Sequence, residues 1–146
     1  PGEIALIIRG RLEDFPEYTA ELKSLAAADS RIRLEAPYAP AELGKALSEI
    51  DVLAVPSKWH ENTPFVALEA LAARRPILAS AHGGLAEMVG PGRGGELVAP
   101  GDIAAWSAAL SRWSDRRRVA SGGSELGTPR SIQAAFADLM RFSAGE

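Results

Sequence analysis

Five short apolar runs alternate with helical patterns along this chain, and that rhythm restricts the fold more than any single residue does. The runs are EIALIIRG (3–10), RIRLEA (31–36), DVLAVP (51–56), PILAS (76–80) and GELVA (95–99). DVLAVP is almost continuously apolar, as a strand must be when helices cover both faces of its sheet. Asp14 is placed to cap a helix running from about 15 to 28, with Tyr18, Leu22, Leu25 and Ala26 on one face. PAELGKALSEI (40–50) turns Leu43, Ala46, Leu47 and Ile50 inward, and further helical patterns cover 66–75, 85–89 and 102–113. Strand–helix alternation of this kind predicts an α/β fold: a Rossmann-like parallel sheet with helices on both faces and right-handed crossovers. Ligands of such sheets lie beyond the carboxyl ends of the strands, close to helix N-termini. By that rule the loops at Gly10–Arg11, Ala36–Pro37–Tyr38, 56–63 and 81–84 face the site.

The segment ENTPFVALE (61–69) lies where the architecture places a ligand. Two carboxylates, Glu61 and Glu69, stand eight residues apart, the first ahead of a helix start and the second about two turns inside it. Between them, Asn62, Thr63 and Pro64 supply polar capping candidates and then a proline where its missing N–H does no harm. A helix start after a strand attracts anions, because its first N–H groups lack partners and its dipole is positive there. A carboxylate on each side of it suits a ligand rich in hydroxyls and phosphate. Glu69 has a second reading. Phe65, Val66, Ala67, Leu68, Ala70, Leu71, Ala72 and Ala73 surround it, so it either marks the wet side of the helix or is a charge in a buried helix that awaits a partner.

PSKWHENTPFVALEALAARRPILAS resembles the signature of the retaining glycosyltransferases of family 4, the group 1 glycosyltransferases, which have the GT-B fold. The shared elements are Pro56–Ser57, Glu61, Glu69–Ala70, Pro76, Gly83–Gly84 and Glu87, in that order. GGELVAPGDIAAWSAAL (94–110) resembles the family's G-x-L-V-x-P-G-D segment and its helix. The resemblance covers residues 4–113 in register. It implies the C-terminal, donor-binding half of a GT-B enzyme: residues 1–146 form a single nucleotide-sugar-binding domain, with a helical tail at about 115–146.

The same resemblance implies roles by position. Glu61, the catalytic candidate, accepts hydrogen bonds from donor-sugar hydroxyls. The donor-binding stretch is Asn62, Thr63, Pro64, Phe65 and Val66, in which the backbone N–H groups around Thr63, Phe65 and Val66 meet the diphosphate. Glu69 accepts from two ribose hydroxyls, since a carboxylate has two oxygens suited to a vicinal diol. Gly83 and Gly84 let backbone approach the ligand, and Pro37 and Tyr38 lie in the loop that touches the base. The implied reaction is glycosyl transfer with retained anomeric configuration, without a metal or other cofactor. The departures from the pattern are Asn62, Ala36 and Arg75, each where the family commonly has Gly. The family also carries a Gly-Arg motif and a nearby Lys upstream of the first strand, and an N-terminal domain that binds the acceptor. Neither is in these residues, so the chain alone is expected to be inactive or nearly so. The implied location is cytoplasmic, with peripheral membrane attachment open for a full-length enzyme. A nucleotide-sugar epimerase half and a non-catalytic Rossmann-like binding module are the alternatives.

Composition narrows the class. The 146 residues are 47% apolar, enough for a real core, and the net charge of −3 with only short basic clusters does not suit nucleic acid. No stretch is long and apolar enough to span a bilayer, and the absence of Cys excludes disulfides and thiolate metal sites. The start at Pro1–Gly2, with no Met and no signal peptide, reads as a domain boundary. The clusters in ARRP and SDRRRVA read as helix ends or solvated faces. His60 and His82 read as turn residues, Lys58 as solvated, and Glu87 as a cap for the Gly-Gly turn. Trp59, Trp106 and Trp113 read as packing residues. SGGSELGTPR (121–130) reads as a flexible connection, and SIQAAFADLMRF (131–142) as a last amphipathic helix. A dinucleotide oxidoreductase does not fit, because no G-x-G-x-x-G follows the first run.

Overall fold

The computed structural model describes residues 4–90 and 92–126, so the expected last helix lies outside the described residues. Each apolar run forms a strand: β1 (Leu6–Arg9), β2 (Ile32–Glu35), β3 (Leu53–Val55), β4 (Ile77–Ser80) and β5 (Gly95–Val98). Between them lie α1 (Pro16–Ala27), a 3₁₀ turn (Pro40–Glu42) leading into α2 (Leu43–Ser48), α3 (Phe65–Ala72) and α4 (Gly83–Met88). After β5 come α5 (Ile103–Trp113) and α6 (Arg116–Glu125).

All strand pairs are parallel, as expected, but they form two sheets rather than one. β1 pairs with β2, Leu6 opposite Ile32. β4 lies between β3 and β5, with Ile77 opposite both Leu53 and Gly95. α2 ties the two sheets together. Arg9 of β1 hydrogen-bonds Glu35 of β2 at 2.9 Å, the Ala46 carbonyl of α2 at 3.5 Å and Glu49 just beyond α2 at 2.5 Å. Leu47 of α2 meanwhile packs in one core cluster with Val55 of β3.

The central strand β4 is buried along its whole length, and its alternation divides the core. Ile77 and Ala79 face a cluster with Ala67 and Ala70 of α3, Leu85 of α4 and Leu47. Leu78 faces the opposite cluster, with Val98, Ala109 and Trp113. Both faces are therefore covered, which accounts for the unbroken apolarity of these runs. Leu43, Leu47 and Ile50 pack as their spacing predicted.

Three local expectations need correction. α1 begins after Phe15 and has no side-chain cap, so Asp14 does not cap it. Its buried residue is Thr19, whose hydroxyl donates to the Leu12 carbonyl at 2.6 Å, while Tyr18 and Leu25 are exposed. α3 is not buried all round: Ala67 and Ala70 are fully covered, whereas Phe65 is 78% exposed and Leu68 is also open. The alanines form the contact face because only small side chains let α3 lie close to the sheet. Third, 121–125 is not a flexible connection but the second half of α6. A Cβ on Gly122 would lie 2.9 Å from the Trp113 ring and 3.1 Å from Pro76, so glycine there permits close packing of α6.

Candidate functional site

Glu61 sits in the loop between β3 and α3, at the carboxyl ends of the strands. Its side chain is already held. Oε1 accepts from the Trp59 indole N–H at 2.7 Å and from the Ser57 hydroxyl at 3.3 Å, while Oε2 accepts no hydrogen bond among the described residues. Its backbone is clasped by the loop after β4. The Gly84 N–H donates to the Glu61 carbonyl at 2.7 Å, and His82 Nε2 donates to the Ser57 carbonyl at 2.8 Å. The rings of His60 and His82 meet at 4.8 Å, tilted by 50°.

The Gly83–Gly84 pair explains how the two loops come so close. Gly83 has φ +57, and a Cβ there would lie 2.5 Å from the Glu61 carbonyl oxygen. A Cβ on Gly84 would lie 1.7 Å from the Asn62 carbonyl oxygen. The close approach made by these glycines is to the Glu61–Asn62 backbone.

Pro64 is the N-cap of α3, so the helix starts one residue later than the sequence suggests. Asn62 and Thr63 are exposed and make no capping hydrogen bond. The Pro64 carbonyl accepts from the N–H groups of Ala67, at 3.0 Å, and Leu68, at 3.4 Å. The N–H groups of Phe65 and Val66 have no partner among the described residues, as the geometry of a helix start requires. Glu69 lies four residues into this helix, about 6 Å along its axis from Phe65. It is half-buried, and its carboxylate has no hydrogen bond or ion pair among the described residues. Glu69 thus stands between the wet and the buried reading.

Pro37 and Tyr38 follow the carboxyl end of β2. They line a cleft of about 400 Å³ with Arg9, Glu35, Lys45 and Glu49, and no hydrogen bond joins them to the Glu61 loop. The Arg9 hydrogen bond holds the Glu49 carboxyl below its ordinary range, and the same bond raises Arg9. Three further readings change. Trp59 is 66% exposed and is not a packing residue, unlike Trp113, which is buried in the core. His82 joins two loops and is more than a turn residue. Glu87 is exposed, and no hydrogen bond of its side chain caps the Gly-Gly turn. The signal for Trp59 and Ser57 was their spacing, two and four residues from Glu61. A side chain that near along a loop can reach back to a carboxylate, but only the course of the loop decides whether it does.

The model of the family described as "Glycosyl transferases group 1" matches residues 2–116. The chain belongs to the group 1 glycosyltransferases. Among relatives of this group 1 chain are proteins named D-inositol 3-phosphate glycosyltransferase. That of Corynebacterium kroppenstedtii is 36% identical over 96 residues, covering 64% of this chain and 21% of the relative. That of Kineococcus radiotolerans is 37% identical over 117 residues, covering 73% of this chain and 27% of the relative. The chain thus spans about a fifth to a quarter of the length of these relatives. In fold it is similar to the Anabaena protein HepE solved with UDP-glucose, with TM-score 0.74 and 22% identity over 86% of this chain and 35% of that one. It is also similar to a glycosyltransferase from Rickettsia africae, with TM-score 0.75 and 14% identity over 96% of this chain and 39% of that one. This likeness of fold, with the parallel strands and the helices on both faces, bears out the Rossmann-like reading. No helix among the described residues is long and apolar enough to cross a membrane.

Proposed function

We propose that this chain is the donor-binding part of a retaining glycosyltransferase, acting with an acceptor-binding domain supplied by the rest of a longer protein. The observation that carries the reading is the arrangement around the start of α3: two open N–H groups at its tip, Glu61 tethered just ahead of them and Glu69 free on its second turn. The diphosphate of a nucleotide sugar fits those N–H groups, because a helix start offers anions both donors and a favourable dipole. Glu61 Oε2, an acceptor without a donor, suits a sugar hydroxyl, and the Glu69 carboxylate suits the ribose diol. The loop at Pro37–Tyr38 is the candidate contact for the base.

In the reaction the bond between the anomeric carbon and the diphosphate oxygen breaks, and the nucleoside diphosphate leaves with the electron pair. An acceptor hydroxyl forms the new bond on the same face and passes its proton to the departing diphosphate. Negative charge gathers on the leaving diphosphate, so donors already aimed at it lower the barrier most. Residues 1–146 alone are expected to bind donor weakly and to transfer no sugar. That a fold relative was solved with UDP-glucose makes uridine nucleotides a sensible first probe.

The test is an NMR titration of ¹⁵N-labelled chain with UDP, GDP and ADP. Shifts at Phe65, Val66 and Glu69 with at least one of them are expected, and Glu69→Ala should weaken that binding about tenfold or more. Absence of any shift in this region with all three nucleotides would leave a non-catalytic binding module as the better reading.

A further inference from the structure

We infer that Trp59 is a positioning residue for the sugar end of this site: its indole N–H holds Glu61 Oε1 so that Oε2 is presented to a donor-sugar hydroxyl in a fixed direction. The inference rests on the donor-binding reading above. Burial does not explain Trp59, since the ring is 66% exposed. What holds it is a single charge-assisted hydrogen bond of 2.7 Å to Glu61. Ser57 donates to the same oxygen, and Ser57 is itself fixed: it is buried, and its carbonyl accepts from His82. Two donors therefore converge on one oxygen and leave the other bare. A glutamate ordered from a free state loses rotamer entropy. Here that ordering precedes ligand binding, and so favours affinity for whatever Oε2 receives. An ionised carboxylate only accepts, so the ligand group at Oε2 must be a donor, and a hydroxyl of the sugar is the chemistry that fits.

The reverse role would be a gate, in which a ligand must displace Trp59 to reach Glu61. The two roles give opposite results. Wild type, Trp59→Phe, Glu61→Gln and the double variant are titrated by calorimetry with UDP and UDP-glucose, GDP and GDP-mannose, and ADP and ADP-glucose. The quantity of interest is the affinity gained when the sugar is attached. Phenylalanine keeps the ring and removes the N–H, and thermal unfolding confirms that each variant folds.

The gain should fall about three- to tenfold in Trp59→Phe, with affinity for the bare nucleotide unchanged. Glu61→Gln should lower it similarly, and the double variant should add little to either single change. In the ¹H–¹⁵N spectrum, the one indole signal lost in Trp59→Phe should move on adding nucleotide sugar to wild type and stay put with nucleotide alone. An undiminished gain in Trp59→Phe, a larger gain, or full additivity with Glu61→Gln overturns the inference while leaving the donor reading intact. Nucleotide binding with no gain from the sugar in wild type also overturns it and removes the sugar role of Glu61. No binding of any of the six compounds overturns the donor reading and this inference together.

Discussion

At the scale of single residues, the position of Glu61 depends on atoms that are not there. The loop carrying it is pressed against Gly83 and Gly84 so tightly that a methyl group on Gly84 would overlap the Asn62 carbonyl. Gly84→Ala must therefore push the two loops apart and break the 2.7 Å bond from the Gly84 N–H to the Glu61 carbonyl. We expect a loss of about 1–3 kcal/mol in urea denaturation. Amide shifts should spread over residues 57–64, and the glutamate should lose its fixed orientation. The Glu-x₇-Glu spacing was legible in the sequence because it is a local pattern. That Glu61 would take its hydrogen bonds from Trp59 and Ser57 was not, since a loop without periodicity has many routes from one end to the other.

At the scale of elements, α3 shows how a helix end is settled by backbone geometry. The Arg75 N–H bonds the Ala70 carbonyl at 2.8 Å and the Arg74 N–H bonds the Leu71 carbonyl at 3.0 Å, which together form a Schellman motif. The motif requires a left-handed residue, and here it is Arg74, with φ 56. The family's habitual glycine was expected one position later, at Arg75. Arg75 is instead fully used, its guanidinium donating to the Leu47 carbonyl at 2.9 Å at the end of α2. Arg74→Gly should relieve the strained backbone and raise stability by about 1 kcal/mol, measured by chemical denaturation. Arg75→Gly should do the opposite, because it removes the tie between α2 and α3. The start of α3 was read less well than its body. Asn62 and Thr63 are good caps by type, but the clasp on Glu61 and Asn62 directs the chain so that Pro64 becomes the last residue outside the helix.

At the scale of the whole molecule, Glu96 of β5 joins the sheet to α5 and α6. Its carboxylate accepts from Arg112 and Trp113 of α5 and from Arg118 of α6, and Arg118 also lies over the Trp113 ring. Burial pushes the Glu96 carboxyl up, but the hydrogen bonds from Arg112 and Trp113 and the charges of Arg112 and Arg118 outweigh it, so the net shift is downward. Glu49 is lowered in the same sense by Arg9, and Asp29 is lowered to about 2 by its hydrogen bonds from Arg31. A carboxyl depressed in the folded state binds its proton more readily when unfolded. Its contribution is thus present above the unfolded value and fades as pH falls below it. Stability should therefore be nearly level from pH 7 to about 5 and decline below about 4.5. Glu96→Gln should lower stability at pH 7 and flatten the decline, as followed by thermal unfolding across that range. Gly122→Val should disturb the same joint from the other side, since its side chain would meet Trp113. Its effect should appear as rapid amide exchange in α6 before any change in β4.

The sequence alone determined the order of the strands and of helices α1 to α5, and the α/β class. Those properties follow from periodic burial and from short signals read within a few residues, and the burial of apolar surface is the main force that drives folding. Only the tertiary structure decided that the strands divide into two sheets, that α6 continues through SGGSE, and that Pro37–Tyr38 line a cleft with Arg9, Lys45 and Glu49. The same holds for Trp59 and His82, which share the loops around Glu61. Each depends on which distant groups come within a few ångströms of one another, through hydrogen bonds and steric fits that span dozens of residues and leave no period in the chain.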